Sequence, residues 1–379
     1  MAMEDLRKQI NEIDDKMVAL FEERMKVAGE IGKYKAENNL PIMDRLRERE
    51  LLARITKNQD EEMALHTKVL YTTLMDVSRS HQSRIVYKES PLVEKINEAL
   101  ENTPKEFTKQ AIVACQGIEG AYSQIACDRL FSRPSIMYMN DFKGVFNAVD
   151  KNLCQYGILP IENSVHGSVT EVYDLMKKYN FSIAKRIKVL INHSLLVRGN
   201  VKLSDIKHIY SHEQAIGQCS EFLSAHPEIQ VHIVENTAVA AKMVADLASS
   251  DAAAISSQNC AEIYGLTALD VDIQNSANNY TRFICISKKL EIYPGSNKMS
   301  LMFTLNHRPG ALYSLISKFA ALDINLTKLE SRPIPGKDFE FMFYFDLEAS
   351  VYSEDVLSLL AELEQGPDKF VFLGSYTEV

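Results

Sequence analysis

An arginine stands where a hydrophobic seam should continue. Apolar residues recur at Leu6, Ile10, Ile13, Met17, Leu20, Val27, Ile31 and Tyr34, and position 24 in that alternation of four and three is Arg24. A buried guanidinium needs an anion or a strong set of acceptors. Lys35 lies eleven residues on, about 20° away around a helix, so the two cations share one stripe. Arg7 lies roughly 100° off that stripe; it cannot easily serve the same pocket from the same helix, but it could reach the pocket of a partner chain. Asp44, Arg47 and Glu48 share a face at i, i+3 and i+4, and Ser78 and Gln82, at i and i+4, can both hydrogen-bond. Such a set suits a small anionic ligand.

A second group is built from hydroxyls and amides: Ser123, Asn163-Ser164, Ser168, Thr170, Ser211-His212, Asn236-Thr237, Ser256-Ser257 and Asn278-Asn279-Tyr280-Thr281-Arg282-Phe283. They fall where strands give way to helices, where each can cap a helix. Their number suggests a pocket lined by helix N-termini, suited to carboxylates. Arg282 is a natural carboxylate partner, and His166 and His212 are alternative acids. Gly117 to Gly120 is G-x-x-G, without the dinucleotide pattern, and no G-x-x-x-x-G-K occurs, so neither NAD nor ATP is indicated. A third group, Asn306-His307-Arg308-Pro309-Gly310-Ala311-Leu312 and Glu330-Ser331-Arg332-Pro333, puts small residues where a ligand's carboxylate could approach backbone N–H groups.

The elements that must position these groups divide the chain. The first ~90 residues read as helix, one long segment to Asn38-Asn39 and Pro41, then two over 44–58 and 61–84. A helix of ~30 residues spans about 45 Å and cannot bury its seam against two shorter helices, so a dimer sharing long helices is expected. Residues 91–109 read as a short helix plus linker. From Gln110 to Lys289 strand–loop–helix units follow, at 111–123, 156–179, 206–225, 229–248 and 252–264, which implies α/β with mostly parallel sheet. After a turn-rich stretch, residues 298–376 read βαββαβ, a ferredoxin-like α+β order, with a strand starting at 339.

At 379 residues the chain allows two to three domains, and 46% hydrophobic residues give enough core for several. A net charge of −9 argues against nucleic acid. The acidic start lacks a signal-peptide pattern, and no stretch approaches a membrane span. Six scattered cysteines without C-x-x-C spacing indicate neither a metal site nor disulfides. A cytoplasmic enzyme, without a cofactor and without a membrane or nucleic-acid partner, is expected.

Arg7, Arg24, Lys35, Asp44, Arg47-Glu48, Ser78 and Gln82 resemble the active-site set of the all-helical chorismate mutases, which are intertwined dimers. The resemblance implies a Claisen rearrangement of chorismate to prephenate, which needs a compact conformer and donors at the breaking ether oxygen. It implies that Arg24 and Lys35 of one chain and Arg7 of the other hold the carboxylates. Lys35 and Gln82 then donate to the ether oxygen, Glu48 with Asp44 accepts from the ring hydroxyl, and Arg47 positions the acids.

The middle segment resembles prephenate dehydratase, a fold of two α/β lobes around a cleft like a periplasmic binding protein. The matching pieces are Gly120-Ala121-Tyr122-Ser123, Ile161-Glu162-Asn163-Ser164 with Gly167, Ser211-His212, and above all Thr281-Arg282-Phe283. The resemblance makes Thr281 the residue that assists hydroxide departure from prephenate. The last segment resembles the ACT modules that bind phenylalanine, with Gly310, Ala311 and Leu312 on one side of the effector and Glu330, Ser331 and Arg332 near it. In that order the three resemble the bifunctional chorismate mutase/prephenate dehydratases, homodimers or larger, feedback-inhibited by phenylalanine. The same motifs would serve arogenate, the aminated prephenate. A binding-only amino-acid sensor would need neither Thr281-Arg282 nor Arg24 in a heptad seam.

Overall fold

The computed structural model describes residues 3–38, 40–86, 90–247, 249–305, 309–334, 340–366 and 369–379. Of the positions named above, Asn39, Asn306, His307 and Arg308, and the segment ends at 248 and 339, lie outside them.

The helical unit has three helices: α1 (Met3–Glu37), α2 (Arg45–Thr56) and α3 (Glu61–Val86). Acidic Glu4 and Asp5 open α1 and Lys35 closes it, which suits the helix dipole at both ends. Thirty-five residues make it about 52 Å long. Only its C-terminal half packs within the chain, where Ala28, Gly29 and Gly32 lie buried. A Cβ at Gly32 would stand 3.1 Å from Gln82 Cγ, so glycine here lets α1 and α3 approach closely. The seam at Leu6, Ile10, Ile13, Met17 and Leu20 is exposed, as are Val27, Ile31 and Tyr34. The chain alone leaves that face uncovered.

Helix α4 (Pro91–Asn102) is capped by Ser90, whose hydroxyl also donates to Glu364 at 2.5 Å. Its Ile96 and Ala99 are buried in the core of the C-terminal unit, so the stretch expected as a linker begins with a packed helix.

The middle unit has two lobes. The first begins β1 (Gln110–Gln116), α5 (Tyr122–Leu130), β2 (Arg133–Met139), α6 (Phe142–Asp150), β3 (Tyr156–Asn163), β4 (Gly167–Ser168), α7 (Thr170–Tyr179) and β5 (Ser182–Leu190). The second holds β6 (Ser194–Val197), β7 (His208–Ser211), α8 (Glu213–Gln218), α9 (Ser220–Ser224), β8 (Gln230–Ile233), α10 (Thr237–Asp246), β9 (Ala252–Ser256), α11 (Asn259–Tyr264) and β10 (Thr267–Asp270). The chain then returns as β11 (Tyr280–Ser287), which inserts between β3 and β5. The sheet orders are β2-β1-β3-β11-β5 and β10-β6-β9-β7-β8. Both sheets are mixed rather than mostly parallel. The returning β11 runs antiparallel to both neighbours, and β6 runs antiparallel to β9 and β10. Two lobes joined by two crossings require such a reversal.

The last unit is β12 (Lys298–Thr304), α12 (Ala311–Ala321), β13 (Asn325–Pro333), β14 (Phe341–Glu348), α13 (Glu354–Glu364) and β15 (Lys369–Tyr376). Its antiparallel sheet has the order β13-β14-β12-β15. One face packs under its helices through Phe303, Leu315, Phe319, Phe345 and Leu360. The other shares a core with the first lobe, where Met302, Tyr344, Leu373 and Tyr376 meet Leu159, Tyr173, Ile183 and Ile284. At Gly374 a Cβ would lie 2.4 Å from the Ile183 carbonyl oxygen, so only glycine permits this approach. The tail then extends the first lobe's sheet, since the Arg186 and Lys188 N–H groups donate to the carbonyls of Thr377 and Val379. Among the described residues no helix is long and apolar enough to cross a membrane.

Candidate active sites

In the helical unit a cleft of about 420 Å³ brings together Arg24, Ser78 and Gln82 with Glu23 and the apolar faces of Leu20, Val27 and Ile31. Arg24 is held from α3, donating to the Ser78 hydroxyl and, at 3.3 Å, to the Leu74 carbonyl. Its charge meets no carboxylate among those contacts. Gln82 Oε1 is buried without a partner. Lys35, on the same stripe as Arg24, is turned to the α1–α2 connection and donates to the Ile42 carbonyl at 2.6 Å.

The acidic group divides. Asp44 caps α2, accepting from the Arg47 N–H at 3.0 Å. The Arg47 side chain turns away from Asp44 and Glu48: it is exposed and lies 3.7 Å from Glu50. Arg47 and Glu48 are about 100° apart on α2, and it is Glu48 that turns to α3 while Arg47 stays at the surface. Glu48 is paired instead with Arg79 of α3, which also pairs with Asp76. Arg79 is absent from the sequence-derived set, although its i, i+3 spacing from Asp76 is a readable signal. Arg7 is exposed, seventeen residues before Arg24 and about 25 Å away along α1.

In the middle unit a cleft of about 520 Å³ lies between the lobes, a usual size for a small-molecule site. Ser123, Asn163, Thr281 and Phe283 line it, with Ser168, His166, His193, His212, Asn236 and Thr237. The first turns of α5 and α7 from one lobe and of α8 and α10 from the other border it, so backbone N–H groups converge from both sides. Among the described residues no lysine or arginine lines it, whereas Glu171 and Glu235 do.

Asn163 is fixed at both ends of its amide. Its oxygen accepts from the N–H groups of Val165 and His166, both at 2.9 Å. Its nitrogen donates to Asn279 Oδ1 at 2.8 Å and to Thr281 Oγ1 at 2.9 Å. Thr281 Oγ1 therefore accepts, and its own O–H is left to donate into the cleft.

Two expected ligand residues do not reach the cleft. Along β11 side chains alternate, so Thr281 and Phe283 face it while Arg282 faces away. Arg282 pairs with Glu162 at 2.8 Å and with Glu378 at 3.0 Å. Burial would raise the Glu162 carboxyl, but hydrogen bonds from Lys328 and Arg282 outweigh it and hold it below the ordinary carboxylate value. Glu378 is likewise held low by Arg186, Arg282 and Lys298 against the effect of burial. Ser164 serves as a clip between β3 and the segment before β11, accepting from the Tyr280 N–H at 2.9 Å and donating to the Asn278 carbonyl at 3.0 Å.

Among the histidines, His212 accepts from the Gln214 N–H through Nδ1 as the cap of α8. Burial lowers its pKa, with Glu213 opposing. His193, which the sequence did not single out, is buried with Nε2 2.7 Å from Gln218 Oε1 and Nδ1 unpartnered. Burial lowers its pKa, with the hydrogen bond to Gln218 opposing.

In the C-terminal unit Gly310 caps α12, and Ala311 and Leu312 form its first turn. Strand alternation splits the second half of the candidate effector site. Glu330 accepts from the Ser168 hydroxyl at 2.7 Å and Arg332 lies 3.1 Å from Asp174, whereas Ser331 is exposed on the opposite face. Lys328 beside them reaches Glu162 at 2.7 Å and Ser168 at 2.9 Å.

The chain is similar to proteins of two families. Residues 6–83 match the family model of chorismate mutase type II, and residues 113–291 that of prephenate dehydratase. The bifunctional chorismate mutase/prephenate dehydratase of Escherichia coli is 32% identical over 381 residues, covering 98% of this chain and 95% of that one. The arogenate dehydratase/prephenate dehydratase 2 of Arabidopsis thaliana is 34% identical over 79% of this chain and 81% of its own. The solved prephenate dehydratase of Arthrobacter aurescens in complex with L-Phe superposes with a TM-score of 0.64 at 27% identity, over 70% of this chain and 89% of its own.

Proposed function

The chain belongs to the bifunctional chorismate mutase/prephenate dehydratases, and from that premise we propose how its own residues divide the work. The enzyme converts chorismate to prephenate and prephenate to phenylpyruvate, two steps of phenylalanine biosynthesis.

In the mutase, Arg24 and Lys35 of one chain and Arg7 of a second hold the two substrate carboxylates. Lys35 and Gln82 donate to the ether oxygen, and Glu48 accepts from the ring hydroxyl, with Asp44 securing the start of α2. The unpartnered seam of α1 supports a shared dimeric site, since a second copy would cover it and bring an Arg7.

In the dehydratase, Thr281 is the donor to the departing hydroxide. The observation that carries this reading is Asn163 donating to Thr281 Oγ1, which turns the hydroxyl proton toward the cleft. Helix N-termini, rather than Arg282, supply the positive potential for the carboxylates. The decisive assay gives purified protein chorismate and follows prephenate and phenylpyruvate, with and without phenylalanine. Accumulation of neither product rejects the assignment.

The C-terminal unit is an ACT module that binds phenylalanine between two copies near Gly310, Ala311 and Leu312. The L-Phe complex of the Arthrobacter relative supports that ligand. Ser168 gives a route for inhibition, because it lines the cleft and bonds Glu330 and Lys328.

One observation favours arogenate as a second dehydratase substrate. Glu171 and Glu235 line a cleft without lysine or arginine among the described residues, and a carboxylate there could hold an ammonium group. Turnover of prephenate and arogenate by the same preparation separates the two.

A further inference from the structure

We propose that Arg79 is a positioning residue of the mutase, aiming the Glu48 carboxylate from α3. The proposal rests on the reading of Glu48 as acceptor for the ring hydroxyl. A glutamate used this way must present one oxygen in a fixed place, yet its side chain has three rotatable bonds. Arg79 removes that freedom. Its Nη1 takes Glu48 Oε1, and Oε2 has no protein partner among the described contacts.

Arg79 is itself anchored. Its Nη2 pairs with Asp76, one turn back on α3, so the guanidinium is gripped at both ends of its fork. The Asp76 second oxygen accepts from Ser314 of α12 at 3.4 Å, and Ser80, next to Arg79, donates to Glu362 of α13 at 2.7 Å. Arg79, Asp76 and Glu48 keep only 19%, 15% and 27% of their side-chain exposure. The mutase acid is thus aimed by a cation braced against the C-terminal unit. The same cation offsets the Glu48 charge, and it lines a cavity shared with Ser314, Lys318 and Glu362 of the C-terminal unit.

The test is a double-mutant cycle in the full chain with Arg79→Met and Glu48→Gln. Dehydration of supplied prephenate in each preparation reports folding. Arg79→Met should lower mutase kcat/KM about 10²-fold, the scale of a small misplacement at a reacting site. Arg79→Lys, which keeps the charge but lacks the planar fork that fixes both carboxylates in one geometry, should fall between. If Arg79 acts through Glu48, the double variant loses no more than Glu48→Gln alone. A double variant that loses the product of the two separate losses makes Arg79 structural and overturns the proposal. Arg79→Met at the parental rate beside an impaired Glu48→Gln overturns it alone. Parental mutase activity in Glu48→Gln overturns the reading of Glu48 and the proposal with it.

Discussion

Asn163 Nδ2 stands 2.9 Å from Thr281 Oγ1 and donates to it. The amide cannot turn round without losing the two backbone N–H groups that its oxygen accepts. Asn163→Asp should therefore be more damaging than its size suggests. A carboxylate would accept the Thr281 proton and hold it away from substrate. We expect dehydratase kcat to fall about 10²–10⁴-fold, the worth of a positioned proton donor, with mutase activity unchanged. Steady-state kinetics on both substrates checks this, and equal losses in both activities would indicate misfolding instead.

Thr281→Ala and Arg282→Ala should part company although they are neighbours. The first should retain prephenate binding and stop turnover, so that chorismate is converted to prephenate and no further. The second should keep dehydratase kcat within a few fold but unfold at lower temperature. It leaves Glu162 and Glu378 short of a charged donor, which costs about 1.5–3 kcal/mol. Calorimetry with product analysis distinguishes them. A large rise in KM for Arg282→Ala would restore it as a substrate ligand.

The contact between the C-terminal unit and the first lobe should weaken in acid. Glu162 and Glu378 both titrate lower in the folded chain than their ordinary value of 4.5. Their contribution is complete above that value and is lost as pH falls through the depressed folded values. Between pH 6 and 4.5 stability should stay nearly flat with respect to these groups, then drop below it. Glu378→Gln should flatten the drop when denaturant midpoints are compared.

Arg7→Ala and Arg24→Ala proteins should each lack mutase activity, and mixing them should restore part of it. A heterodimer would carry one intact site. Mass spectrometry can confirm subunit exchange before the assay. Exchange without rescue would overturn the shared site.

Glu330→Gln should loosen feedback without harming the basal dehydratase rate. The carboxylate that accepts from Ser168 becomes an amide with a weaker acceptor. The phenylalanine concentration for half inhibition should rise several-fold. An unchanged value would move the route away from Ser168.

The two-lobed unit and the helical unit were legible because their motifs are local: capping residues at strand ends, and a cation breaking an apolar period. Arg282 shows where that stops. Alternation along β11 says that Thr281 and Arg282 face opposite ways, but which side is cleft depends on where the second lobe stands. Arg79 was overlooked for a related reason. On α3 alone it reads as a surface ion pair with Asp76, and its partner Glu48 comes from another helix. The strand β5 and the return of β11 beside it were also missed, since a crossing between lobes leaves no periodicity in the residues that make it.

Helix α4 precedes the dehydratase in sequence but is buried in the unit that follows it. A truncation that keeps the dehydratase and the C-terminal unit together should therefore retain Ser90 and α4. A cut at residue 109 looks tidier on a domain map. It would strip Ile96 and Ala99 from a core some two hundred residues downstream and leave Glu364 without the Ser90 hydroxyl.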